Sequence, residues 1–205
     1  MNEFDEKART WDADPAKVER AQRVADAIRG AVGSLADREV LEYGCGTGLL
    51  GFALRADVRH LTLADTSRGM LQVLEEKIAA SGARNVTSLA LDLSVGPLPE
   101  LRFDLICTLM TLHHIPDTAA ILARFHTLLR DGGALCIADL DLEDGSFHGP
   151  DFEGHKGFDR EALAREMLEA GFENVRFTTP CVVVRQTSAG IQEFPVFLMV
   201  GEKAG

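Results

Sequence analysis

Residues 40–54, VLEYGCGTGLLGFAL, decide how this chain folds. An apolar run ends at Glu42 and Tyr43, glycines follow at every second position (Gly44, Gly46, Gly48), and an apolar stretch then resumes. The pattern reads as a buried strand, a tight turn, and a helix from about Thr47 to Arg55. Glycines so placed let the backbone turn sharply and leave room where a Cβ would strike a bound ligand.

Working outward, strands and helices alternate. Pro15 opens an amphipathic helix with Val18, Ala21, Gln22, Ala25 and Ile28 on its apolar face, ending near Gly30 or Gly33. VRHLTLAD (58–65) is a strand, and Met70, Leu71, Leu74 and Ile78 mark a helix capped by Ser67 and stopped near Gly82. VTSLALD (86–92) and FDLICTL (103–109) are further strands. A helix after Pro116 carries Ile121, Leu122, Phe125, Leu128 and Leu129, and RDGG (130–133) terminates it. ALCIADL (134–140) is the fifth strand, and Asp159 caps a helix bearing Leu163, Met167 and Ala170. NVRFTTPCVVVRQ (174–186) and FPVFLMVGEK (194–203) are separated only by TSAGIQE, so they are expected to pair as an antiparallel hairpin at one edge. The whole predicts a mostly parallel sheet with helices on both faces.

A length of 205 residues fits a single domain, with residues 1–33 as an N-terminal lid and helix and 36–205 as the core. The first fourteen residues, MNEFDEKARTWDAD, show no sustained period and read as a loose lead segment. The net charge of -11, without a Lys/Arg cluster, disfavours nucleic acid as a partner. No run is long enough to span a bilayer, and no basic start precedes an apolar one, so a cytoplasmic monomer or homodimer is expected. Cys45, Cys107, Cys136 and Cys181 lack ligand spacing and read as buried small hydrophobes; no metal site is expected.

Ligands of open α/β sheets bind beyond the carboxyl ends of the strands. Asp65 and Asp92 close the second and third strands there, beside the glycine turn, and carboxylates suit hydroxyl and amino donors. A dinucleotide fold wants G-x-G-x-x-G, whereas this turn is G-x-G-x-G preceded by Glu42; a carboxylate there repels a pyrophosphate and attracts a cation. Residues 141–157, DLEDGSFHGPDFEGHKG, form a long polar insertion at a strand end, the usual place of a site loop. His113 and His114 after the fourth strand, and His148 and His155 in this loop, are positioned to approach one pocket. His113 and His148 are the candidate catalytic groups, Asp139 is a lesser one, and His60 and His126 read as structural. Phe4, Trp11, Phe147, Phe152 and Phe158 are candidates to face a cation.

Taken in order, VLEYGCGTG, LADTS, LALDL, FDLICTLMTLHHI and LLRDGGALCIADLD resemble the motifs of class I S-adenosylmethionine (SAM) methyltransferases, most nearly the small methyltransferase-domain proteins similar to the ubiquinone/menaquinone C-methyltransferases. The resemblance covers roughly residues 36–142 and implies a Rossmann-like three-layer α/β sandwich with sheet order 3-2-1-4-5-7-6 and strand 7 antiparallel. It implies that Glu42 holds the glycine loop and the methionine portion of SAM, with Gly44, Cys45 and Gly46 in close approach. Asp65, beside Thr66, accepts from the ribose hydroxyls, Asp92 and the Leu93 backbone meet the adenine edge, Met70 packs on its ring, and Thr108 lies below the sulfonium. The expected activity is in-line methyl transfer to a small-molecule acceptor, with S-adenosylhomocysteine as product. A non-catalytic SAM-binding or regulatory protein is the alternative.

Overall fold

The computed structural model describes residues 3–205; Met1 and Asn2, the start of the expected lead segment, lie outside the described residues. Seven strands form one sheet: β1 (Glu39–Tyr43), β2 (His60–Asp65), β3 (Val86–Ala90), β4 (Phe103–Leu109), β5 (Leu129–Leu140), β6 (Phe172–Thr187) and β7 (Gly190–Lys203). Their order is β3-β2-β1-β4-β5-β7-β6, as expected, with β7 antiparallel to both β5 and β6 and the remaining pairs parallel.

Alternation along each strand sends successive side chains to opposite faces, and both faces are covered. From β1, Val40 enters a core built with α2 (Pro15–Val32), α3 (Leu49–Leu54) and α4 (Arg68–Ser81), through Ile28, Leu50 and Leu74. Leu41 enters the other, with Phe125 of α5 (Thr118–Leu128) and Met167 of α6 (Arg160–Glu169). Full burial of a side chain such as Leu or Phe contributes about 1.5–3 kcal/mol, so these two layers are the main source of stability. Asp14, Ser67, Asp117 and Asp159 each cap a helix by accepting from a first-turn amide, at 3.0, 3.2, 2.9 and 2.8 Å.

Four local expectations are corrected. The RDGG segment does not merely end a helix: it lies inside β5, where Leu129 pairs with Phe103 and Ala134 with Leu105, so the extra residues form a bulge. The β6–β7 connection is tighter than TSAGIQE suggested, since Thr187 pairs with Gly190 and Gln186 with Ile191. On α2 the buried stripe is Ala21, Val24, Ala25 and Ile28, while Val18, one turn earlier, is 43% exposed.

The fourth correction bears on the site. The lead segment is helical, with α1 (Glu3–Lys7) running into a 3-10 helix over Ala8–Ala13. It is held down because Asp5 accepts from the Ser67 hydroxyl (2.7 Å) and the Gly69 amide (2.9 Å), adding to the cap of α4. A Cβ on Gly69 would lie 2.7 Å from the Asp5 Cα, so only glycine lets the two backbones approach this closely.

Candidate cofactor and acceptor site

The turn after β1 is docked on β2: the amides of Gly44 and Cys45 both donate to the Ala64 carbonyl, at 2.8 and 2.9 Å. Its glycines divide their tasks. At Gly44, with φ of 71°, an added Cβ would sit 2.2 Å from Thr111 Cγ2, so this glycine makes room for the protein's own β4 loop. At Gly46 an added Cβ would meet nothing nearer than Met70 Sδ at 3.8 Å and Trp11 Nε1 at 3.9 Å. Gly46 therefore fronts the rim, whereas Gly48 is backed by Leu74, 2.8 Å from where its Cβ would be.

Two carboxyl groups fix this turn. Asp65 at the end of β2 accepts from the Gly46 amide (2.7 Å) and the Ser67 amide (2.8 Å); burial pushes its carboxyl up and these amides oppose the shift. Each oxygen keeps a further lone pair, so both remain able to accept from hydroxyl groups. Glu42 is 2% exposed and accepts from the Gly51 amide of α3 at 2.8 Å; burial raises its carboxyl to about 8, so it is protonated near neutral pH. It grips the helix beyond the loop rather than presenting charge to the rim, and the repulsion of a pyrophosphate expected from it is absent in this state.

Next along the rim, β3 stops at Ala90, so Asp92 stands two residues past the strand end, exposed and accepting from the Ser94 amide at 2.8 Å. Leu93 is buried and its amide donates to the Tyr43 hydroxyl at 3.0 Å. Met70 is buried under the turn, and Thr66 is exposed beside Asp65. Cys45 is buried, and burial pushes its thiol well up, which makes it inert packing. The lead segment crosses over this region: Asp12 accepts from the Thr47 hydroxyl and pairs with Lys77 at 2.5 Å, while Lys77 also donates to the Thr47 carbonyl at 2.8 Å.

The histidines gather further along the rim, after β4. His113 lies on a short 3-10 helix, Leu112–His114, and is 1% exposed. Its Nδ1 is 2.7 Å from Asp139 Oδ1, and its amide donates to Oδ2 at 3.2 Å. Since that carboxylate only accepts, it places the ring proton on Nδ1 and leaves the Nε2 lone pair unused. His113 Nε2 and Thr108 Oγ1 are both buried without a hydrogen-bond partner. The nitrogens of His113, His114 and His148 lie within 4.8 Å of one another. Phe152 stacks on His148 with ring centroids 4.0 Å apart, and Phe4 of the lead segment meets His114 edge-on at 5.3 Å.

The 141–157 loop is closed at its base, where Phe158 donates to the Leu140 carbonyl at 2.9 Å and Asp141 bridges Phe158. His155 does not join the cluster: its amide donates to the His113 carbonyl at 2.8 Å and its Nε2 is 3.0 Å from the Ile115 carbonyl, which ties the loop to the 3-10 helix. His60 pairs with Thr87 at 3.1 Å and His126 packs on Phe172, both structural as expected. Phe147 and Phe158 turn inward onto Phe194 and Phe197. Sequence reasoning missed Thr111 and Tyr43, whose roles follow only from which strand ends adjoin.

The residues fit the expected cofactor on two observations: a glycine, Gly46, whose added Cβ would be bordered only by the ends of the Met70 and Trp11 side chains, and the buried, unpartnered polar atoms of Thr108 and His113 beyond it. Comparison with known proteins agrees. Residues 17–176 match the family model described as a methyltransferase domain. An uncharacterized methyltransferase of Mycobacterium tuberculosis is 31% identical over 126 residues, which is 60% of this chain and 62% of that protein. A ubiquinone biosynthesis O-methyltransferase of Xylella fastidiosa is 32% identical over 117 residues, covering 56% of this chain and 46% of the relative. The chain thus matches between about half and two thirds of these relatives' own length. Among solved structures, a Haemonchus contortus phosphoethanolamine N-methyltransferase complexed with phosphomonomethylethanolamine and S-adenosylhomocysteine superposes with a TM-score of 0.70 at 15% identity, covering 88% of this chain and 52% of that one. With the sheet order, the glycine turn and the family match in agreement, the chain belongs to the methyltransferase-domain family.

Proposed function

We propose that this enzyme methylates a small molecule held between the lead segment and the 141–157 loop, with His113 as the group that takes the acceptor's proton. The observation that carries the reading is the buried, unpartnered Nε2 of His113, whose ring is fixed by Asp139. SAM, when bound, supplies a methyl group on a sulfonium whose departure as a neutral thioether needs no help from the protein. The chain's own work is placement, and holding two reactants in line contributes on the order of 7–11 kcal/mol of the barrier.

In this reading Asp65, with Thr66 beside it, holds the ribose hydroxyls, Asp92 and Leu93 the adenine edge, and Met70 its ring. Gly44, Cys45 and Gly46 shape the turn, Glu42 braces it through α3, and Thr108 offers its hydroxyl beneath the reacting centre. His113 accepts a proton, His148 and Phe152 wall the acceptor, and Asp139 is a positioning residue. The small acceptor is supported by the aromatic enclosure formed by Phe4, His114, His148 and Phe152, and by the net charge of -11, which opposes a polyanion. No helix among the described residues is long and apolar enough to cross a membrane. Incubating the protein with methyl-labelled SAM and a fractionated extract tests the proposal: label is expected in the metabolite fraction, and label only in RNA or protein refutes it.

A further inference from the structure

Three imidazoles meet at the acceptor end of the site, drawn from two separate segments. The donor nitrogens of His113, His114 and His148 all lie within 4.8 Å of one another. A tetrahedral zinc site with nitrogen ligands at about 2.0–2.1 Å sets those nitrogens about 3.3 Å apart, so a closure of at most about 1.5 Å is needed. His114 and His148 are exposed and sit on a 3-10 turn and a loop, which permits that adjustment, while His113 is buried and fixed.

An independent observation points to a ligand at this place. His113 Nε2 is buried, has no hydrogen-bond partner, and belongs to a ring only 1% exposed. Leaving such a group unpaired is unfavourable, and an ion bound to its lone pair removes that cost. The other ring nitrogen faces Asp139 Oδ1 at 2.7 Å, and that carboxylate is itself held by the Leu140 amide at 2.8 Å. A carboxylate behind a histidine is the arrangement that fixes the tautomer of metal ligands and raises their basicity. The donor set also selects the ion, because imidazole suits zinc-class transition ions whereas magnesium and calcium take oxygen.

We propose that His113, His114 and His148 bind one zinc-class divalent cation, whose remaining coordination position takes an oxygen of the acceptor. This departs from the sequence expectation of no metal, and its last clause rests on the acceptor site proposed above. The ion then takes over the part assigned above to His113: Nε2 accepts the acceptor's proton in the metal-free protein and is a ligand in the metal-bound one. A coordinated acceptor hydroxyl is then acidified by the cation and gives its proton to solvent, leaving an oxygen anion on the metal.

The test uses the full chain, stripped with a chelator and titrated with Zn²⁺ by calorimetry and with Co²⁺ by visible absorption. One ion per chain is expected, with the intense Co²⁺ bands of a four- or five-coordinate site. His114→Ala and His148→Ala are each expected to weaken binding at least tenfold, and His60→Ala to leave it unchanged. The inference is overturned if the parent takes up no stoichiometric ion, or if both site variants, folded by circular dichroism, bind it as tightly as the parent. Calorimetry with S-adenosylhomocysteine on the same samples reports on the cofactor site alone. A chain that binds this compound but no metal refutes the metal site and not the methyltransfer reading.

Discussion

Asp139 holds His113 twice, through the ring at 2.7 Å and through the backbone amide at 3.2 Å, so the end of β5 dictates both where this histidine stands and which nitrogen it offers. In Asp139→Asn the side-chain amide donates where the carboxylate accepted, and the ring flips or changes tautomer. Turnover is expected to fall at least tenfold while affinity for S-adenosylhomocysteine stays within twofold. Steady-state kinetics beside calorimetry checks this, and an unchanged turnover removes His113 from the chemistry.

The two glycines of the turn are predicted to fail differently. Gly44→Ala forces a Cβ to 2.2 Å from Thr111 at a φ of 71°, and the fold is expected to lose more than about 2 kcal/mol. Gly46→Ala meets only ordinary van der Waals contacts with Met70 and Trp11, so it costs mainly the left-handed backbone strain of about 1–2 kcal/mol but puts a methyl where the proposed cofactor site lies. Chemical denaturation and cofactor titration should separate them: Gly44→Ala mainly a stability loss, Gly46→Ala mainly a binding loss.

Asp65→Ala removes the acceptor proposed for the ribose hydroxyls and is expected to weaken cofactor binding by about 1.5–3 kcal/mol. It also releases the Gly46 amide, so some stability is lost with it. Equal affinity for parent and variant, read by calorimetry, restricts Asp65 to holding the turn.

Glu42 gives the protein a pH dependence of definite sign. Its carboxyl titrates near 4.5 ordinarily and near 8 when buried here, so between those values the folded chain holds one proton more than the unfolded chain. Its contribution to stability is therefore complete below pH 4.5 and is lost as pH rises toward 8, at up to about 1.4 kcal/mol per pH unit. Glu42→Gln keeps an acceptor for Gly51 and cannot ionise. Denaturation across this range should show a flatter profile for the variant, with its advantage largest at pH 8; parallel profiles contradict the assignment.

The lead segment yields a prediction through its contacts. Arg9–Glu76 is exposed on both sides and stabilises little, whereas Trp11 beside Gly46 and Phe4 against His114 adjoin the rim. Deleting residues 1–14 is expected to cut methyl transfer at least tenfold with a smaller proportional loss of thermal stability. A truncated enzyme of full activity shows that the segment is only an outer cover.

The sheet was legible because most of its parallel strands are short apolar runs separated by helices, β3 and β4 alone being joined without one, and the three motif positions Gly46, Asp65 and Asp92 all fall at carboxyl ends of strands or just past them. The β5 bulge was not, because RDGG carries turn residues and only the pairing of Leu129 with Phe103 shows that the strand has already begun. The lead segment was misread because its helix is stabilised by Ser67 and Gly69, partners far along the chain. The histidine cluster was legible as residues and not as geometry: His148 joins His113 through the closure of the loop at Phe158, while His155, equally polar in sequence, is spent on the Ile115 carbonyl.

In the site proposed above, the hydrogen bond from the Leu93 amide to the Tyr43 hydroxyl makes adenine recognition at that amide a competition. A base nitrogen arriving there displaces a partner already in place, so the exchange is near neutral in free energy and discriminates among purines only weakly. Tyr43→Phe takes away the incumbent, leaves the amide wanting an acceptor, and turns the same contact into a net gain of about 1 kcal/mol for the nucleoside. On that proposal the parent protein keeps its hold on the adenosyl group loose, which favours release of a product that shares that group with the cofactor.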